Sequence, residues 1–249
     1  MLKELKWIMG MPITVCLVDE KASQKDIDDV FAYFDYVDEK FSTYKNESEI
    51  SKINRGEIAP ENWSDDMKIV FELSEKTKKE TNGYFDISTP EKIYDPSGLV
   101  KGWSIWNAAK ILDSRGYENF YIDAGGDIEA RGKNERGSDW SVGIRNPFGK
   151  SRDEIIKKVF ISGHGMATSG AYIRGQHIYN PHVGRAPLRE VVSVSVIGPN
   201  IYEADRFATA AFAMGREGIN FIEELDGFEG YAIDKNGIAT MTTNFDQYL

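Results

Sequence analysis

The chain has 249 residues, of which 41% are hydrophobic and 28% are charged, and its formal net charge is −10. This length is enough for one large domain with a substantial core. An acidic chain without a basic patch is not typical of a nucleic-acid-binding protein, and its charge disfavours an anionic membrane surface. No stretch approaches the roughly 20 apolar residues that span a bilayer. We therefore expect a soluble protein with neither nucleic acid nor membrane as partner.

The single cysteine, Cys16, excludes an internal disulfide and a cysteine-based metal cluster. It stands in an apolar run, which predicts a small buried residue rather than a nucleophile. The N-terminus has only a short, interrupted apolar stretch, unlike the hydrophobic region of a secretory signal. These features predict a cytoplasmic protein. No linker or repeat interrupts the chain, so we expect a single domain over residues 1–249.

The first half of the chain is predicted to be mainly helical, because apolar residues recur there at a spacing of three and four. Ser64 is a suitable N-cap for the second helix, and Gly116 follows the third. The predicted elements are a strand at Ile13–Asp19, helices at Ile27–Phe41 and from Ser64 to Gly83 with the core face Met67, Val70, Phe71 and Ser74, and a helix from Asp95–Gly102 to Ser114.

The second half is predicted to be rich in strands, with Asn200 as the N-cap of its main helix. The predicted strands are Tyr121–Ala130, Trp140–Arg145, Lys158–Ser162, Gln176–Tyr179 and Val192–Val196, the helices are Ile201–Met214 and Glu217–Leu225, and a hairpin of Tyr231–Asp234 and Ile238–Thr243 closes the chain. Hairpins rather than helices connect most strands. The pattern therefore favours an α+β fold with mixed or antiparallel sheets over a doubly wound fold.

The segment Asp95–Gly102 is the first of four motifs that could carry chemistry. Its small residues would let the backbone approach a phosphate, the following helix N-terminus favours anions, and Lys101 adds a cation. By itself the segment is more typical of an ordinary turn than of a phosphate site.

The second motif is Asp123–Asp127, in which two adjacent glycines interrupt a predicted strand. They indicate either a close backbone approach by a ligand or a bend in a curved sheet, with even weight.

The third motif places His164 between two glycines in Ser162–Gly170. An exposed histidine on a mobile loop would suit a proton shuttle, although a solvated loop residue explains the pattern as well.

The fourth motif contains Asp205 and Thr209, which are four residues apart and therefore share one helix face. A carboxylate, a hydroxyl and nearby carbonyl oxygens form an oxygen site that suits Mg²⁺. This spacing alone more often gives an ordinary side-chain hydrogen bond.

The order of these motifs resembles that of the ApbE family of FAD:protein FMN transferases. The resemblance covers most of the chain and lies in segments that are degenerate one by one but specific in this order. They are Phe41–Lys45 with Ser48–Ile50 and Ile53-Asn54, Gly83–Ile87, Asp95–Gly102, Ala124–Asp127, Trp140–Pro147, Ala167–Gly170, His177-Ile178 with Asn180-Pro181 and Gly184-Arg185, Val192–Val196, and Ala204-Asp205 with Ala208-Thr209.

The resemblance implies an ApbE-like fold and Mg²⁺-dependent transfer of FMN from FAD to a threonine or serine hydroxyl of an acceptor flavoprotein, with release of AMP. It implies Asp205, Thr209 and the Gly98 carbonyl as Mg²⁺ ligands and His164 as the base. The residues that it implies at the FAD site are Met9, Ser42, Thr43, Tyr44, Phe85, Asp86, Asp95, Lys101 and Ile178. The partners expected are FAD, the acceptor flavoprotein and a second copy of the chain in a homodimer.

Two features depart from the family pattern. Typical members have several dozen more residues between Asp86 and Asp95, including a helix near the flavin, and Asn180 replaces a usual aspartate. Three alternatives to transfer therefore stay open: an FAD pyrophosphatase that gives FMN and AMP, a non-catalytic flavin-binding protein, and a related fold that acts on another nucleotide.

Overall fold

The computed structural model describes residues 1–151, 154–170, 178–184 and 190–249. The helices in this part of the chain are α1 (Gln24–Phe41), α2 (Glu49–Asn54), α3 (Asp65–Glu80), α4 (Ser97–Ser114), α5 (Ile201–Met214) and α6 (Gly218–Glu223). The strands are β1 (Leu2–Ile8), β2 (Met11–Leu17), β3 (Phe120–Ala124), β4 (Asp127–Arg131), β5 (Trp140–Arg145), β6 (Ile155–Ile161), β7 (Gly165–Gly170), β8 (Val191–Gly198), β9 (Glu229–Asp234) and β10 (Ala239–Met241).

Eight of the strands form one antiparallel sheet in the order β1-β2-β3-β4-β7-β8-β9-β10, while β5 and β6 form a separate hairpin. Most neighbours in the large sheet are also neighbours in the chain, which tight turns allow in antiparallel sheets. The predicted α+β fold class is confirmed.

Side-chain caps explain where three of the four long helices begin, namely α1, α3 and α5. Ser23, Ser64 and Asn200 each accept a hydrogen bond from the backbone N–H three residues later. Such a cap satisfies one of the N–H groups that a helix start leaves without a partner. The predictions of Ser64 and Asn200 as N-caps are confirmed.

The large sheet has a different cover on each face. On one face, Ile13, Val15 and Ile122 pack into the main core with helices α1, α4 and α5. On the other face, Cys16 and Ala130 pack beneath the β5–β6 hairpin. Cys16 is buried, as predicted.

The sequence prediction was wrong at two strands and one short helix. The predicted strand Tyr121–Ala130 is divided by a turn at Gly125 and Gly126, whose φ angles are 66° and 102°. Strand β1 and short helix α2 were missed; β1 alternates charged and apolar residues but has an exposed outer face, which weakens the usual pattern.

The loop predicted around His164 is partly strand, because β7 begins at Gly165. An added Cβ at Gly165 would lie 2.0 Å from the backbone nitrogen of Ile201. This glycine therefore lets β7 pass the start of α5, rather than giving a loop mobility. The predicted strand Gln176–Tyr179 lies half outside the described residues, and Ile178 and Tyr179 are not in a strand.

In the described part of the chain, no helix combines the length and the apolar character needed to cross a bilayer.

Candidate functional site

A cavity of about 590 Å³ opens where the large sheet meets the first turn of α4 and the middle of α5. Its lining combines charged groups, glycines and aromatic rings. The lining includes Leu5, Trp7, Thr14, Tyr84, Phe85, Asp86, Asp95, Gly98, Lys101, Asp123, Gly125, Gly126, Asp127, Arg145, Thr168, Ile178, Asp205 and Thr209.

Two buried aspartates share one lysine in the wall of this cavity. The Lys101 ammonium lies 2.5 Å from Asp127 and 3.4 Å from Asp205. Each aspartate also accepts a backbone hydrogen bond, Asp127 from Thr168 at 3.0 Å and Asp205 from Gly102 at 2.8 Å. Both carboxylates are only 2% exposed, so these contacts offset the cost of removing them from water.

Beside this cluster, the Thr209 hydroxyl donates a hydrogen bond to the Gly98 carbonyl at 3.2 Å. Gly98 lies in the first turn of α4, so the N-terminal end of an 18-residue helix is at the cavity. The partial positive charge of a helix N-terminus favours an anion there.

Close contact between α4 and α5 fixes the cluster. A Cβ added to Gly102 would lie 2.6 Å from the Cβ of Asp205 and 2.7 Å from the carbonyl oxygen of Ile201. Only glycine allows the two helices to approach this closely at that level. The backbone N–H of Gly102 can consequently reach the Asp205 carboxylate.

Burial shapes the electrostatics of the aspartates. It raises the pKa of Asp205 to about 7, with Lys101 opposing the shift and Asp127 adding to it. Burial also raises the pKa of Asp123, which accepts a hydrogen bond from the Gly126 N–H at 2.8 Å. A cation in the cavity would therefore stabilise the charged form of these carboxyl groups.

The rim of the cavity is apolar and exposed. Leu5 and Trp7 lie on the same face of β1, opposite Thr14 and Pro12 of β2. Tyr84, another lining residue, makes an edge contact with His182, whose Nε2 lies 3.0 Å from the carbonyl oxygen of Asn82. This rim presents rings and aliphatic groups to a planar ligand.

A short loop closes the segment in which the resemblance implied a deletion. Asp95 donates its backbone N–H to Ile87, and Thr89 donates to Ile93, both at 2.8 Å. The loop is thus a small hairpin that keeps Asp86 and Asp95 together at the cavity.

The ApbE family model matches residues 9–94 and 89–232. The chain belongs to the ApbE family. The FAD:protein FMN transferase of Escherichia coli K12 is 30% identical over 173 residues, which are 66% of this chain and 49% of that protein. The Haemophilus influenzae transferase is 23% identical over 285 residues, covering 89% of this chain and 82% of that protein. The matched part thus spans about half the length of the Escherichia coli relative.

Solved structures of the family have the same fold. The flavin transferase ApbE from Vibrio cholerae superposes with a TM-score of 0.86 at 22% identity, covering 100% of this chain and 99% of that chain. The ApbE protein from Thermotoga maritima gives 0.84 at 19% identity, with 99% and 98% covered.

Eight of the thirteen residues that the sequence assigned to the ApbE site line the cavity. They are Phe85, Asp86, Asp95, Gly98, Lys101, Ile178, Asp205 and Thr209. These residues are far apart in the chain. The packing of α4 against α5 and the turn at Asp86–Asp95 bring them together in space.

The structure does not bring the remaining FAD-site residues to the cavity lining. Met9 is in the β1–β2 turn next to lining residue Gly10, with φ 54°. Ser42 is the C-cap of α1, and its carbonyl accepts a hydrogen bond from Ser48. Thr43 and Tyr44 follow it, and Tyr44 is 97% exposed. The turn that Ser42 begins packs on α2 and not on the cavity.

His164 also lies away from the cavity. Its Nδ1 is 2.9 Å from the carbonyl oxygen of Ser162, and its ring makes an edge contact with Tyr248. His164 precedes β7 and does not line the cavity, whereas Thr168, four positions further along the chain, does. The geometry thus gives no support to His164 as the base, because a base must reach the proton that it removes.

Sequence reasoning left several lining residues out of the site. Asp127 was in the paired-glycine motif and was readable as part of the site once that motif was seen as a turn. Trp7 and Arg145 carry no local signal, since an aromatic in a first strand and an arginine at a strand end are common.

Proposed function

We propose that this ApbE family member transfers FMN from FAD to a threonine or serine hydroxyl of an acceptor flavoprotein. The observation that supports it best is the arrangement of Lys101, Asp127, Asp205 and the α4 N-terminus beside an aromatic rim. Phosphates need cations and helix N–H groups, and flavin and adenine rings need apolar surfaces. One cavity offers both.

The donor set fits Mg²⁺. Asp205, Thr209 and the Gly98 carbonyl supply oxygen atoms, which magnesium prefers, and few protein ligands are needed because Mg²⁺ keeps several waters. Among the described residues, no group of three or more histidine, cysteine or acidic side chains could hold a metal ion. When bound, Mg²⁺ would stabilise negative charge on the pyrophosphate.

The remaining chemistry falls to the chain itself. Lys101 and Arg145 offer positive charge to the phosphates, and Phe85 and Ile178 offer apolar surface. The acceptor oxygen forms a bond to the FMN-side phosphorus, the bond from that phosphorus to the bridging oxygen breaks, and AMP leaves with the electron pair. The hydroxyl proton leaves to a base.

The test is incubation of the protein with FAD and Mg²⁺, with and without a library of ten-residue peptides that carry a central threonine. Mass spectrometry should show an FMN adduct on peptides and an equal amount of AMP. Release of free FMN and AMP without any adduct would instead establish the alternative, an FAD pyrophosphatase.

We further propose a cytoplasmic location and a homodimer. Fractionation and sedimentation measure them directly.

A further inference from the structure

A second cavity of about 770 Å³ adjoins the first on the side of the β5–β6 hairpin. The two cavities share six lining residues, namely Asp123, Gly125, Gly126, Asp127, Arg145 and Thr168. A molecule in the second cavity would therefore come into contact with Asp127, which binds Lys101. The proposed chemistry accounts for the first cavity and leaves the second without an occupant.

The second cavity runs along an edge of β5. It contacts Trp140, Ser141, Val142 and Gly143 in succession, although consecutive strand residues point to opposite faces. Contact with both faces of one strand places the cavity at the side of that strand. On β6 it contacts only residues of one face, Lys158 and Phe160, with Ile155 at the bulge.

This edge offers main-chain hydrogen bonds. In the part of the chain that the structure describes, β5 pairs with β6 and with no other strand. In an antiparallel pair, alternate residues direct their N–H and C=O groups away from the partner strand. An extended peptide can add to such an edge as a further strand.

The boundary between the two cavities includes two residues that have no side chain. Gly125 and Gly126 have no side chains, and a Cβ added to Gly126 would meet no atom within 4 Å. Arg145, the last residue of β5, stands at the same point because it lines both cavities. A peptide strand bound along β5 would therefore place the side chain at one of its ends beside the cluster of Lys101, Asp127 and Asp205.

We propose that the second cavity binds the acceptor polypeptide as a strand added to the free edge of β5. The six residues of β5 span roughly 17 Å, which sets the length of the bound segment at about six residues. The hydroxyl that receives FMN lies at the Arg145 end, where the two cavities meet. This inference rests on the proposed transfer function and names the site of its protein substrate.

A bulky residue at position 141, where Ser141 lines the second cavity, tests the location of the peptide site. Ser141→Trp should raise the KM for the peptide acceptor by about tenfold or more without changing the order of peptides in the library. Ser114→Trp is the matched control, because Ser114 is an exposed serine at the end of α4 that lines neither cavity. FAD affinity and thermal unfolding, measured on both variants, show whether each is folded.

The pairing mode has its own test on the wild-type protein. Methyl groups are placed one at a time on the backbone nitrogens of the best peptide. Strand addition predicts losses of about fivefold at every second position and little change between them, since each lost hydrogen bond is worth about 1 kcal/mol.

The outcomes separate the two proposals. If wild-type protein modifies no peptide, the transfer function itself fails. If it modifies peptides but Ser141→Trp behaves like Ser114→Trp, or N-methylation shows no alternation, transfer stands and the β5 site is overturned.

Discussion

Proteins usually bury apolar side chains and expose charged ones, whereas the two sides of the first cavity show the reverse. The wall formed by α4, α5 and the start of β4 buries its charges, with Asp127 and Asp205 each 2% exposed. The rim formed by β1 leaves its apolar groups in water, with Leu5 59% and Trp7 70% exposed. Exposed apolar surface of this extent is unfavourable without a partner, and the charged cluster beside it suits a charged group. The two sides together favour a ligand that is polar on one side and planar on the other.

The difference also separates two functions within one cavity. Close helix packing holds the wall in a single geometry, as chemistry on a phosphate requires. The exposed rim contributes contact area rather than precise placement. Changes in the wall should therefore abolish the reaction, whereas changes in the rim should weaken binding.

The largest effect is expected for Asp205→Asn in the wall. Transfer or hydrolysis of FAD should fall by about a thousandfold, because the variant loses the carboxylate proposed to bind Mg²⁺. Thermal unfolding in the absence of Mg²⁺ should change little, since the amide removes the desolvation cost of a buried charge. Product formation by chromatography and a Tm measurement test both parts, and an unchanged rate would contradict the wall assignment.

The next effect is expected for Gly102→Ala, which tests the packing of the wall. The added Cβ would force α4 and α5 apart and should lower the free energy of unfolding by about 3 kcal/mol. Gly98→Ala is the comparison. A Cβ added to Gly98 would lie 3.1 Å from the side chain of Thr209 and 3.3 Å from that of Phe85, and alanine favours a helix more than glycine does. Urea unfolding should rank the two; equal losses would mean that the close approach at Gly102 does not limit stability.

A smaller effect is expected for Trp7→Ala in the rim. Removing the indole should raise the Kd for FAD by about tenfold and leave kcat within about twofold, because stacking binds the ring without touching the phosphates. Tyr44→Ala provides the control, since Tyr44 is exposed but does not line the cavity. A fluorescence titration decides the matter, and a larger loss for Tyr44→Ala would restore the sequence-based assignment.

The smallest effect is expected for His164→Ala. Activity should stay within about threefold, because the ring contacts Ser162 and Tyr248 rather than the cavity. His177→Ala is the informative comparison: His177 lies outside the described residues, but its chain neighbour Ile178 lines the cavity. Rates over pH 6–9 show which variant loses a basic group, and a hundredfold loss in His164→Ala would reinstate it as the base.

The sequence alone determined the elements whose signals are local. Regular apolar spacing and N-caps placed α1, α3 and α5, and the helical spacing of Asp205 and Thr209 put both on one face. Strand β1 and the β3–β4 turn were less accessible, because an exposed edge strand and a pair of glycines fit several local structures.

Only the tertiary structure decided which motifs meet. Asp127 joined Lys101 and Asp205 because β4, α4 and α5 converge at one end of the sheet, over more than 100 residues of separation between Lys101 and Asp205. His164 stands in an equally suggestive motif, but it precedes β7 and does not line the cavity. A spacing of four residues is a property of one helix, whereas a shared cavity depends on packing between distant segments, which no single segment encodes.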